Sequence, residues 1–149
     1  MPQYHLIYGL VFSTLVFYFF PSISLLGFLI IFISTVFIDL DHAVRYSIKT
    51  KNFNPIKFWK WSIIEGELRK NLKNYSSYKY PVFFLHGIEF VLILTLLSFY
   101  SKIFLFILIG VLFHLFLDYI HLIYNHLPLD MKLSLIWVLI RNKNKKRVN

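Results

Sequence analysis

A chain of 149 residues is long enough for one domain, and 58% of this one is apolar against 15% charged. It has no cysteine, which excludes disulfides and thiolate metal centres. The formal charge of +9 is concentrated: of the sixteen Lys and Arg, nine fall within residues 43–80 and five within 141–149. These basic residues flank apolar runs, so anionic lipid headgroups are the expected partner and direct nucleic-acid binding is not expected.

In chain order, the apolar runs cover residues 6–20, 22–38, 82–99 and 103–124. Each approaches the length a helix needs to cross hydrocarbon, and none carries the polar face of a soluble core helix. The pattern predicts an all-α, polytopic membrane domain over residues 1–149. Four transmembrane helices (about 5–20, 22–40, 82–99 and 103–124) form two hairpins. The first run lacks a basic leader and a small-residue cleavage site, so it reads as a retained helix. Pro21 breaks the chain between the first two spans. Within the basic loop 43–80, Asn54 can cap a helix whose first position suits Pro55, and Trp59 and Trp61 among lysines favour the headgroup region. The stretch EGELRKNLKNYSSYKY reads as polar surface. Residues 131–140 are apolar but too few to span, which predicts a short interfacial or re-entrant helix anchored by RNKNKKR. The Lys/Arg bias places both termini and the loop on the cytoplasmic side of a cell (inner) membrane.

Charged side chains are expensive inside a bilayer and normally mark function. Here His5, Asp39, Asp41, His42, His86, Glu89, His114, Asp118 and His121 lie in or at the ends of the spans. With the orientation above, all of them fall on the cytoplasmic half. Spacing agrees with depth. His114, Asp118 and His121 stand at i, i+4 and i+7, so they share one helix face, which Asn125 extends. His86 and Glu89, and Asp39 and His42, stand at i and i+3. Asp41 points away from that face if the helix continues, and joins it if the helix unwinds there.

Imidazoles and carboxylates together are ligands for divalent metals, and helical bundles build such sites from facing helices. Zinc is the expected ion, with manganese, iron and magnesium as alternatives. A His/Asp set can also keep a position open for water, as catalytic sites do.

Three elements occur in order: DLDH after a span (residues 39–42), His86 near the start of the next, and G-x-x-x-H-x-x-x-D at Gly110, His114 and Asp118. Together with His5 and Gly9 near the start, this order resembles the membrane-bound metal-dependent hydrolases. These are the YdjM-like proteins, described as LexA-binding, inner-membrane-associated putative hydrolases. The resemblance covers residues 5–121 and implies a metal held by His5, Asp39, Asp41, His42, His86, His114 and Asp118. The chain departs from that pattern at Ile38, where the family often has proline, and in residues 76–90, which keep one histidine and add Glu89. His114 and Asp118 also resemble the His-x-x-x-Asp element of zinc-dependent phospholipases C.

The expected function is a membrane-embedded, metal-dependent hydrolase acting on a lipid phosphoester. His86, His114 and Asp118 head the ligand set, with Asp39, Asp41, His42 and His5 beside them. Glu89, His121 and Asp41 are the candidate catalytic groups, Glu89 as general base or further ligand and His121 as a partner orienting Asp118 or a water. Arg45, Lys49 and Lys79 are placed to hold an anionic headgroup. The same residues admit a proton or cation pathway, or a non-catalytic scaffold tied by its metal. A homodimer or a regulatory protein partner is compatible with either.

Overall fold

The structure is a computed structural model that describes residues 2–72, 75–143 and 145. Lys73, and Lys146 and Arg147 of the basic tail, lie outside the described residues. Among those described the chain is all-helical, without a β-strand. The helices are α1 (Pro2–Phe19), α2 (Leu25–Phe37), α3 (Leu40–Thr50), α4 (Pro55–Lys70), α5 (Ile88–Ser98), α6 (Lys102–Tyr124) and α7 (Leu135–Asn142).

Two helical stretches, Leu25–Thr50 of 26 residues and Lys102–Tyr124 of 23, are long and apolar enough to cross a membrane. Tyr4–Phe19 and Ile88–Ser98 are shorter apolar helices. Only 28% of an 18-residue apolar window in each is buried, so most of that window faces outward. A core helix of a soluble protein would be mostly covered.

Several boundaries depart from the sequence reading. The second apolar run does not end in loop at residue 43: after a two-residue turn at Ile38 and Asp39, the chain re-enters helix as α3 and runs to Thr50. The third helix starts at Ile88, six residues later than the apolar run suggests. The reason is visible in its backbone donors. Pro81 has none, Tyr80 N–H goes to Asn142 Oδ1 at 2.8 Å, Leu85 N–H to Asp41 Oδ2 at 3.1 Å and Ile88 N–H to the Leu133 carbonyl at 2.9 Å. With those N–H groups committed elsewhere, residues 81–87 stay non-helical. The cap of α4 is as expected: Asn54 accepts from Ile56 and Lys57 N–H at 2.9 and 3.1 Å, with Pro55 at the first position.

The chain divides into two compact units. The first combines Met1–Asp39 with Glu89–Asp118, and its core includes Ile31, Ile38, Leu94, Leu108 and Val111, with Phe12 stacked on Phe113 at 3.9 Å. The second combines Leu40–Ile88 with Tyr119–Asn149 around Tyr75, Tyr80, Leu122, Met131 and Val138.

Candidate metal centre and anion pocket

The first unit gathers four ionisable groups around Thr35. Because α2 ends at Phe37, its last four carbonyls have no intrahelical donor. Asp39 N–H, which a continuing helix would return to Thr35, instead reaches Val36 O at 3.3 Å. The freed Thr35 carbonyl accepts a hydrogen bond from His114 Nδ1 at 2.7 Å. His114 is fully buried.

Two glycines permit the approach. A Cβ on Gly110 would stand 2.5 Å from the Ile31 carbonyl oxygen and 2.8 Å from Ser34 Cβ, so at this point α6 lies directly on the backbone of α2. A Cβ on Gly9 would collide with the Thr35 side chain, so α1 closes on the same turn of α2. His5, one turn before Gly9, then brings its ring centroid to 4.2 Å from that of His114.

A carbonyl can only accept, so the proton of neutral His114 sits on Nδ1 and its Nε2 carries a lone pair. That nitrogen lies 3.4 Å from Asp118 Oδ2 and 3.7 Å from Asp39 Oδ1, and His5 Nε2 lies 3.7 Å from Asp118 Oδ1. Donor atoms of His5, Asp39 and His114 all fall within 4.8 Å of one another. A lone pair facing two carboxylates calls for a cation. A second proton on the ring would draw the oxygens to about 2.7–2.9 Å. The observed separations are nearer the ligand-to-ligand spacing of about 3.3 Å expected around a tetrahedral ion with bonds of about 2.0–2.1 Å. This donor set therefore fits a divalent metal.

The second unit holds a different pair. Asp41, buried in the first turn of α3, accepts through Oδ2 from Leu85 N–H at 3.1 Å and from His86 Nδ1 at 3.0 Å. Its other oxygen is buried and has no hydrogen-bond partner among the described residues. His86 is 1% exposed, and His42 packs beside it, 5.3 Å between ring centroids, with its other contact on Phe83 at 4.1 Å. A carboxylate that holds Nδ1–H of a histidine presents Nε2 for ligation. Asp41 thus orients His86 and is in none of the donor groups within metal reach among the described residues.

Other expected placements differ. His86 belongs to the non-helical segment 81–87 and Glu89 to the first turn of α5, so they do not share a helix face. Glu89 is half-buried and is in none of the donor groups within metal reach among the described residues. His121 is half-buried near the end of α6, where its carbonyl accepts from Asn125 Nδ2 at 2.7 Å.

Arg45, Lys49 and Lys79, the three cations expected to hold a headgroup, line one cavity of about 410 Å³ in the second unit, together with Asp41, Arg69, Tyr80 and Asn142. Its organising group is Glu65. Arg45 forks onto both Glu65 oxygens at 2.6 and 2.7 Å, and Arg69 donates to Oε1 at 2.6 Å. Arg69 also donates to the Tyr75 hydroxyl, which in turn contacts Met131. Sequence reasoning passed over Glu65 and Arg69 as polar surface. Their i,i+4 spacing on α4 was the available signal. Thr35 left no signal, because its role is played by a main-chain oxygen.

Burial by itself pushes the Glu65 carboxyl up, but the Arg45 hydrogen bond and the Arg69 and Arg45 charges outweigh it, and the group is held below its ordinary 4.5. A carboxylate with a depressed native pKa stabilises the fold above its ordinary pKa, and that stabilisation is lost as pH falls through the native value. The second unit is therefore expected to loosen progressively below about pH 4.5. Fluorescence of Trp61, whose ring lies 5.4 Å from the Arg45 guanidinium, reports it. The same acid transition in Glu65→Gln would refute this assignment.

No protein-family model matches the sequence, and comparisons with curated proteins and with solved structures return no significant match.

Proposed function

We propose that this chain is a membrane-embedded, metal-dependent hydrolase of phosphoesters, of the YdjM-like kind. The observation that carries the reading is the His5, Asp39, His114 and Asp118 cluster. It sets two imidazoles and two carboxylates at metal-ligand spacing in helices otherwise apolar. Carboxylates are costly in such surroundings unless paired or coordinating.

His114, Asp118, Asp39 and His5 would hold the ion, zinc being the best match to a set of two imidazoles and two carboxylates. His86, held by Asp41 through Nδ1, presents Nε2 in the manner of a ligating histidine, with His42 packed beside it in the second unit. A bound dication supplies Lewis-acid polarisation of an ester oxygen and lowers the pKa of water. The protein's own groups do the rest. The Thr35 carbonyl keeps the His114 proton on Nδ1, Asp41 keeps the His86 ring in place, and Arg45, Lys49 and Lys79 attract the anionic ester. Glu89, outside the donor groups and half-buried, remains the candidate general base.

In this reading α1, the α2–α3 stretch and α6 cross the bilayer. Residues 81–98, part irregular and part α5, form a fourth crossing, since non-helical backbone is tolerated at depth where protein covers it. Both termini then lie on the cytoplasmic side, with α4 at the headgroups. Its outward residues Ile56, Trp59 and Ile63 are exposed beside Lys57 and Lys60, the composition of an interfacial helix.

The test is elemental analysis of protein purified in detergent without chelator, followed by hydrolysis assays on phosphomonoesters and phosphodiesters presented as lipid and as soluble ester. Stoichiometric metal and chelator-sensitive turnover are expected. Protein that is folded and takes up no metal on reconstitution would rule the reading out in favour of a proton pathway or a scaffold.

A further inference from the structure

The cavity of the second unit has a property that turnover does not require: its cations converge on an anion that belongs to the protein. Arg45 engages both Glu65 oxygens, Arg69 engages one, and Lys49 stands 3.9 Å from it. Lys79 lines the same cavity. Three cations thus converge on one carboxylate, and a fourth lines the same cavity. The other acid in the wall, Asp41, is already bonded to His86 and to the Leu85 amide. Four cations against two carboxylates leave the wall with a surplus of positive charge.

A forked guanidinium reads carboxylate and phosphate through the same geometry. The place Glu65 occupies between Arg45 and Arg69 is therefore the place an incoming phosphate oxyanion would take. Much of the rest of the lining is apolar, with Val44, Ile48 and Phe84 half or more exposed and Pro81 and Val82 beside them. A volume of about 410 Å³ falls within the usual range of ligand sites, about 300–1,000 Å³, and suits an ester head with the start of an apolar chain.

We propose that this cavity binds the phosphate group of an anionic phosphate ester, and that Glu65 is its internal stand-in, displaced from Arg45 and Arg69 when the phosphate arrives. This deepens the phosphoester reading above and takes the substrate class from it, although binding itself needs neither metal nor turnover. Four cations against two carboxylates leave the lining net positive, which favours anionic heads over zwitterionic ones. Displacement also gives the empty pocket a defined closed state, because the arginines stay paired until a stronger anion competes.

Full-length protein is placed in phosphatidylcholine nanodiscs containing a minor fraction of phosphatidic acid, and retained lipid is counted by native mass spectrometry. Glycerol phosphate and inorganic phosphate are titrated in parallel, with Trp61 fluorescence as the signal. Wild type is expected to retain phosphatidic acid over phosphatidylcholine. Lys79→Gln and Lys49→Gln should each weaken retention by about tenfold, the scale of one lost charge-assisted contact. Lys102→Gln, at the start of α6 and outside the lining, should leave it unchanged. The decisive variant is Glu65→Gln, expected to bind tighter than wild type because the competing anion is gone. A folded Glu65→Gln that binds no better, or wild type that does not discriminate the two lipids and binds neither soluble anion, overturns the proposal. If Glu65→Gln fails to fold, the two lysine variants decide, and unchanged retention in both overturns it. Glycerol phosphate binding without lipid retention supports the oxyanion site and assigns it to soluble esters. Metal is measured on the same preparations. Loaded protein that ignores phosphate overturns the pocket alone, whereas metal-free protein that binds phosphate overturns the hydrolase reading alone.

Discussion

Alanine at position 110 is expected to destabilise the first unit by a few kcal/mol. The added methyl would sit 2.5 Å from the Ile31 carbonyl oxygen and 2.8 Å from Ser34 Cβ. One of those atoms is backbone, so no rotamer change relieves the clash and α6 must move off α2. Overpacking of this kind costs about 1–3 kcal/mol, and here the His114–Thr35 hydrogen bond is lost with it. Two internal comparisons sharpen the expectation. Gly9→Ala would meet Thr35 Cβ at 3.0 Å and its hydroxyl, which is tied to the Phe32 carbonyl, so it should also destabilise, by pushing α1 off α2. Gly66→Ala, in α4 with nothing within 4 Å, should stabilise by up to about 1 kcal/mol through helix propensity. Thermal unfolding of the three variants in one detergent checks the order. Gly110→Ala melting with Gly66→Ala would show that the close approach of α2 and α6 is not as described.

Asp118→Asn is expected to abolish tight metal binding while leaving the helices in place. The substitution keeps size and shape and removes the charge opposite two imidazole nitrogens, His114 Nε2 at 3.4 Å and His5 Nε2 at 3.7 Å. Loss of a ligand should exceed the roughly 10–100-fold that outer partners cost. His114→Ala is the harsher change. It removes a ligand, opens a void in a fully buried site and leaves two carboxylates without the imidazole between them, for which about 3 kcal/mol of destabilisation is a reasonable scale. The pair of variants therefore separates chemistry from packing: both lose metal, and only the second loses much stability. Wild-type affinity in Asp118→Asn would remove this cluster from the metal-site account.

What the amino-acid string disclosed was whatever depends on local pattern. The 23 residues of α6 are legible because an unbroken apolar run, Lys102 at its start and the i,i+4 pair His114–Asp118 all point one way. The start of α4 is legible because Asn54 and Pro55 are local instructions. The late start of α5 is not, since residues 82–87 are as apolar as the helix that follows, and what keeps them non-helical is Asp41, Asn142 and the Leu133 carbonyl, all 44 or more residues away. The division of labour within DLDH was open for the same reason. Whether Asp41 faces the cluster or leaves it depends on a turn at Ile38 and Asp39 that no residue there demands. Glu65 and Arg69 looked like solvated charges because the group that gives them a role, Arg45, lies 20 residues back on another helix.

The hydrogen bond that sets the His114 proton has a consequence for sequence drift. Its acceptor is a peptide oxygen, which every amino acid carries, so no substitution at position 35 deletes it. The side chain there is fully buried against Gly9, so it is restricted to small residues, but the hydrogen bond itself does not depend on which small residue it is. Position 110 has no such latitude, and neither does the length of the turn at Ile38 and Asp39, since one inserted residue that restores helix there would return the oxygen to its own ladder. In a divergent set of descendants of this chain, the most stringently kept features around His114 should thus be an absent side chain and a chain length, while the residue that makes the contact is constrained in size and not in chemistry.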